Sequence, residues 1–167
     1  MGKMTEQSIQ AALAGEAQAH LKYLAFAEVA EKEGRPNVAR LFRCVAQAER
    51  IHAMDNLKVL SMVNETSENL AAARDGEEFE SRDMYPAYMA IAQLEEEKKA
   101  QQSIKHAQGA EASHLELYDR AKEAVDAGGD IGDEPLQLCE FCGYVVAGDA
   151  PERCPVCQAP KKYFTAY

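Results

Sequence analysis

The sequence predicts a mainly α protein: a four-helix bundle followed by a small irregular or β module built around a metal. Three observations carry this. Residues 5 to about 127 are rich in Ala, Glu, Gln, Lys, Leu and Arg, with proline only at Pro36 and Pro86, a composition that favours helix. Gly128-Gly129-Asp130-Ile131-Gly132-Asp133 then reads as a flexible linker. Beyond it, residues 135–167 hold four of the five cysteines and four of the six prolines, so a different domain begins there. The division is 1–133 for the helical domain, with the linker at about 128–134, and 135–167 for the tail. A domain of that size rarely folds on its own apolar core, and a metal is a usual remedy.

Taken in order, the first helix runs from about Thr5 to Glu33, and Gly34-Arg35-Pro36-Asn37 stops it and starts the next. The second spans about Val38 to Val63. Asn64 to Ser67 is a polar break, with Ser67 as the N-cap of a third segment. That segment, about Glu68 to Glu97, contains Gly76 and Pro86, and Pro86 should end or kink it. The fourth spans about Lys98 to Ala127, a boundary placed by length and by symmetry with the first half. Short connections between long amphipathic segments are those of a four-helix bundle.

Composition excludes several classes. With 28 acidic against 18 basic residues, the formal charge is −10, the wrong sign for binding nucleic acid. No run approaches the ~18 apolar residues of a membrane span, and the start, MGKMTEQSIQ, lacks a signal peptide's apolar core. A cytoplasmic location follows as the expectation, and clustered thiols in a reducing compartment bind metal more often than they form disulfides.

An internal repeat at an offset of 62 residues maps Tyr23 onto Tyr85, Glu49 onto Glu111 and His52 onto His114. Glu49-x-x-His52 and Glu111-x-x-His114 each put a carboxylate and an imidazole on one helix face. Two such motifs, with one further carboxylate from each of two other helices, are the ligand set of di-iron sites in four-helix bundles. Glu16, on the apolar side with Ala12, Leu13 and Leu24, supplies the first. For the third segment the strict offset selects Glu78, whereas the shared Gly-Glu dipeptide selects Glu77. Glu77 and Glu80, three apart, share a face and are preferred, with Glu78 solvated. Carboxylates bridge two hard cations and screen their repulsion, and imidazoles suit iron. A fifth carboxylate favours the more oxidised metal state, which points to redox cycling rather than storage.

Cys139-Glu-Phe-Cys142-Gly-Tyr and Cys154-Pro-Val-Cys157 form two knuckles able to give one tetrahedral S₄ site. Iron and zinc both fit this spacing. The glycine after Cys142 permits the tight knuckle turn. Cys44 is read as a core thiol, and Met54, Met62, Met84 and Met89 as core filler. His20 is read as lying near the site or at the surface, and His106 as solvated. Glu95-Glu96-Glu97-Lys98-Lys99 is read as an exposed run of paired charges.

From end to end the chain resembles the rubrerythrin family. The matching pieces are Ala14-Gly15-Glu16-Ala17-Gln18-Ala19-His20, Ala48-Glu49-Arg50-Ile51-His52-Ala53, Gly76-Glu77-x-x-Glu80 leading into Asp83-Met84-Tyr85-Pro86, and Ala110-Glu111-x-x-His114. In the tail they are Cys139-x-x-Cys142-Gly143-Tyr144, Gly148-x-Ala150-Pro151, Cys154-Pro155-x-Cys157 and Pro160-x-x-Tyr163-Phe164.

The resemblance implies a ferritin-like di-iron bundle with a rubredoxin-like tail, acting as an NAD(P)H-linked non-haem peroxidase that reduces hydrogen peroxide to water. It implies two non-haem irons held by Glu16, Glu49, His52, Glu77, Glu80, Glu111 and His114, with Glu80 and His52 exchanging on one iron. It also implies a mononuclear iron held by Cys139, Cys142, Cys154 and Cys157, and hydrogen bonds from Tyr23 and Tyr85 to ligand carboxylates. The implied partners are a reduced electron-donor protein of rubredoxin or reductase type and a second copy of the chain, whose di-iron site one subunit's tail would face. Ferroxidase or iron-handling activity is the alternative use of the same bundle, and a non-enzymatic metal-binding electron-transfer module is a third. About six extended residues at 63–67 reach only ~20 Å, too short to run along a long bundle. Either residues 67–75 are extended, or the helical hairpins are swapped in the homodimer.

Overall fold

In the computed structural model, which describes all of residues 1–167, alanine brings the first two helices together. Helices α1 (Lys3–Lys32) and α2 (Pro36–Val59) form a hairpin within a compact unit, Met1–Asn64. Ala27, Ala30, Ala39, Ala46 and Ala53 are its buried residues, and their small side chains let the backbones approach closely. The amide of Arg35 returns to the carbonyl of Ala30 at 2.8 Å, and Pro36 opens α2 where no amide hydrogen is needed. The large apolar side chains remain outside: Leu21, Leu41 and Ile51 are 67 %, 61 % and 52 % exposed in the single chain. Met54 and Met62 are exposed too, so they are not core filler here, and Cys44 is an exposed thiol rather than a core one. Helix α2 ends at Val59, four residues before the sequence-based limit.

The second unit, Glu65–Tyr167, begins with α3 (Thr66–Phe79). Ser67 does not cap it. Glu65 holds the N-cap position, and the Ser67 hydroxyl instead donates to Asp126 Oδ1 at 2.6 Å, tying the start of α3 to the end of α5 (Lys98–Asp126). Because α3 is helical from Thr66, residues 67–75 are not an extended crossover.

Pro86 does not end the segment. The helix passes through one π turn, Glu80–Met84, and resumes as α4 (Tyr85–Leu94) with Pro86 in its first turn. A π turn carries an extra residue and disrupts the regular ladder. On its inner side the carbonyl of Ser81 accepts a hydrogen bond from Gln108 Nε2 of α5 at 3.1 Å. On another side Arg74 donates to Asp119 of α5 at 2.6 Å and to Glu78 at 3.0 Å, and Glu78 also pairs with Arg82. Glu78 is therefore ion-paired across the π turn, not solvated. Glu95–Glu97 form the turn between α4 and α5, with Glu96 at a φ of 57°, and Lys98 and Lys99 open α5; the run is exposed, as expected.

The tail is a three-stranded antiparallel sheet in the order β2–β1–β3. Its strands are β1 (Leu136–Cys139), β2 (Val145–Ala147) and β3 (Phe164–Ala166). Within the unit it rests on α5. Ser113 Oγ accepts the amide of Val145 at 3.3 Å, and His106 stacks edge-on against Phe141 with centroids 5.8 Å apart. His106 is thus a docking residue rather than a solvated one.

Candidate metal centres

One centre forms where α3 and α5 face each other. Glu77, Glu111 and His114 bring one ligand atom each to within 4.8 Å of one another. His114 Nδ1 lies 2.7 Å from Glu111 Oε2 and 3.4 Å from Glu77 Oε2. On the far edge of the ring, Nε2 meets the carbonyl oxygen of Gly143 at 2.9 Å. A carbonyl only accepts, so Nε2 carries its hydrogen and Nδ1 is the nitrogen left to bind a metal. Gly143 follows Cys142 and lies at φ 85°, a left-handed conformation that suits glycine.

The charge balance of this cluster favours a cation. Glu77 Oε2 is buried without a hydrogen-bond partner. Burial first, and then Glu111, push the Glu77 carboxyl from its ordinary 4.5 up to about 7. Glu80 at the start of the π turn adds to that field, and Tyr85 is pushed up by burial and by Glu111, Glu80 and Glu77 together. A carboxyl whose pKa is raised in the fold destabilises it above that pKa and ceases to do so below the unfolded value. The metal-free protein should therefore lose stability as pH rises from about 4.5 to about 7, and added divalent iron should reverse the loss. Thermal unfolding across that range, with and without the metal, checks this; a flat profile in the metal-free protein would contradict the assignment.

The first hairpin presents its residues more loosely. His52 Nδ1 lies 3.5 Å from Glu49 Oε2, and the His52 side chain is half exposed. Glu16 Oε2 accepts a hydrogen bond from Asn56 Nδ2 at 2.8 Å. Glu16, Glu49 and His52 do not close into a cluster like that of Glu77, Glu111 and His114. Asn56 escapes sequence reading, although its place one turn after His52 puts it on the ligand face. His20 donates from Nδ1 to the carbonyl of Ala46 at 2.8 Å and joins α1 to α2. Tyr23 packs its ring against Phe26 and Phe42 rather than against a carboxylate.

The second centre gathers all four tail cysteines. Cys139 Sγ lies 3.7 Å from Cys157 Sγ, and Cys142 Sγ 3.5 Å from Cys154 Sγ. A tetrahedral site with bonds of about 2.3 Å to sulfur has edges near 3.8 Å, so the spacing suits zinc or iron. Burial pushes the Cys142 and Cys157 thiols up. Cys154 is drawn down against its burial by the backbone N–H groups of Cys157 and Val156, the donors that a knuckle aims at sulfur.

Comparison with known proteins agrees along the whole chain. Residues 8–122 match the rubrerythrin family model and residues 138–165 that of the rubrerythrin rubredoxin-like domain. Rubrerythrin-2 of Clostridium acetobutylicum is 33 % identical, the match covering 98 % of this chain and 97 % of that protein. Nigerythrin of Nitratidesulfovibrio vulgaris is 37 % identical, over 98 % of this chain and 86 % of its own. A structure of nigerythrin in its fully reduced, all-ferrous state superposes with a TM-score of 0.59 at 36 % identity, covering 100 % of this chain and 88 % of the other; a mixed-valence state gives 0.58. No helix of the chain is long and apolar enough to cross a membrane. The two family matches, in the same order and over nearly the whole length, show that the chain belongs to the rubrerythrin family, iron-dependent oxidoreductases that pair a di-iron helical domain with a rubredoxin-like tail.

Proposed function

We propose that the protein is a peroxidase that reduces hydrogen peroxide to water with electrons delivered through the tail. One observation carries this reading. The His114 ring touches the carboxylate cluster through Nδ1 and the carbonyl beside Cys142 through Nε2, so one side chain links the two centres. Reduction of H₂O₂ by two electrons and two protons gives two waters. Bound iron would supply the electron exchange with peroxide; everything else falls to the chain. Glu16, Glu49, His52, Glu77, Glu80, Glu111 and His114 hold the di-iron pair, and Cys139, Cys142, Cys154 and Cys157 hold the single metal. Glu77, raised to about 7 by burial and by Glu111 when no metal is bound, must give up its proton to serve as a ligand. Tyr85, pushed above its usual value, remains a neutral hydroxyl facing the carboxylates. Glu80 sits at the first position of the π turn, where the backbone ladder is disrupted, and this suits a ligand that exchanges with His52. The donor is a reduced rubredoxin-type protein or an NAD(P)H-linked reductase.

We further propose that the helical site is completed in a homodimer, the first hairpin of one copy pairing with the second hairpin of another. Only the short stretch 60–65 separates α2 from α3, too short for a crossover along the bundle. The first hairpin buries alanines and leaves its large apolar side chains outside. Charge agrees: residues 1–64 hold 7 acidic and 8 basic residues, while 65–134 hold 18 and 7. Two second hairpins would repel one another, and a near-neutral first hairpin would not.

Stopped-flow mixing of the fully reduced iron protein with hydrogen peroxide tests the activity. Both centres should reoxidise faster than with dissolved oxygen. If either stays reduced, or oxygen is as fast, the peroxidase reading fails; iron uptake far beyond about three per chain would instead favour iron handling.

A further inference from the structure

Gly109 lies in the middle of α5, where glycine weakens a helix. A Cβ built there would lie 2.7, 3.2 and 3.5 Å from Cγ1, Cγ2 and Cβ of Val156, in the second cysteine knuckle. Both methyls of one stiff, branched side chain stand in the way, so rotating Val156 about its Cα–Cβ bond still leaves one of them there. Nor can Val156 retreat, because its other side packs on the buried Cys139, Cys154 and Ala159. One turn of α5 further on, Ser113 accepts the Val145 amide at 3.3 Å and His114 donates to the Gly143 carbonyl at 2.9 Å. His106, Gly109, Ser113 and His114 thus form a helical stripe, spaced by three, four and one residues, on which both knuckles rest.

We propose that Gly109 is a positioning residue: by seating Val156 it sets the register at which the Cys₄ module docks on its own α5, and so holds the Gly143 carbonyl on His114. Only the consequence for electron delivery rests on the peroxidase reading.

The test is Gly109→Ala in the full, iron-loaded chain. Alanine is the better helix former and no ligand is touched, so helix content and tetrathiolate absorbance should be kept. Exchange of the Val145 amide hydrogen should speed about tenfold or more, and oxidation of the tail iron by peroxide should slow. Adding Val156→Ala, which empties the space the new methyl needs, should restore both. Unchanged Val145 exchange in the single variant overturns the proposal. So does a loss that the double variant fails to restore, whether or not the absorbance survives. The exchange measurement needs no turnover, so it decides docking even if the wild-type protein proves not to reduce peroxide.

Discussion

Cys154→Ser should leave the tail without its metal and without its sheet, while the helices keep their content. The reason lies in what the tail buries. Cys139 and Cys154 are its fully buried side chains, joined only by Ala150 and Ala159 at the 9 % level. Its strands run to four, three and three residues, too short to be stable unaided. The thiol cluster is therefore the core, and it is a core of groups that repel one another when ionised. Metal binding to structural tetrahedral sites supplies about 10–16 kcal/mol in small zinc domains, several times what so small an apolar core can provide. Serine keeps the size of the side chain but replaces the soft ligand with a hard one. Visible absorbance of the ferric tetrathiolate should vanish, and amide protection in β1 and β3 should go with it. A tail that kept that protection without metal would show that apolar packing holds it. Chelation of the wild-type protein should give the same result reversibly, with loss of the carbonyl that fixes the His114 ring as a consequence.

How much of this could be read from the sequence depended on whether the cause was local. The break at Gly34-Arg35-Pro36 is written in residues that stop and start helices, and it lies where expected. The α4–α5 turn carries no breaker, and length together with symmetry to the first half placed it correctly before Lys98. The cysteine knuckles were legible because two ligands two residues apart can reach one ion only through a tight turn. The π turn was not legible. Pro86 signals an interruption, but not its form, and the group that meets the Ser81 carbonyl there, Gln108, lies on another helix. The Arg74–Glu78–Arg82 ladder, by contrast, stands in the sequence at i,i+4 spacing and distinguishes Glu78, paired to arginines, from Glu77, gathered with Glu111 and His114. His106 and Gly109 escaped because their partners, Phe141 and Val156, are more than thirty residues away in sequence. A glycine among strong helix formers was the only local hint that something sits close to the helix.

Two inactive variants should restore one another when produced together. His52→Ala disables the first hairpin's ligands and His114→Ala the second's, and each alone should lose the di-iron site and at least about a hundredfold in peroxide turnover. If hairpins pair across copies, a mixed dimer contains one helical site built from two damaged hairpins and one built from two intact ones. Random pairing makes half the dimers mixed, so co-expression should recover about a quarter of wild-type helical-site iron and turnover. If each chain completes its own site, every site in every dimer carries one damaged hairpin and nothing is recovered. The tail does not separate the two cases, since its cysteines are intact in both variants and within the chain it rests on α5. Iron content and turnover must rise together, because iron regained without turnover would separate assembly of the site from its chemistry. Pairing across copies is expected from the connection itself: a helix that begins at Thr66 follows a first hairpin rich in exposed apolar residues. Each such side chain gains roughly 1.5–3 kcal/mol when fully buried, and a second copy offers that burial without the long crossover this chain does not have.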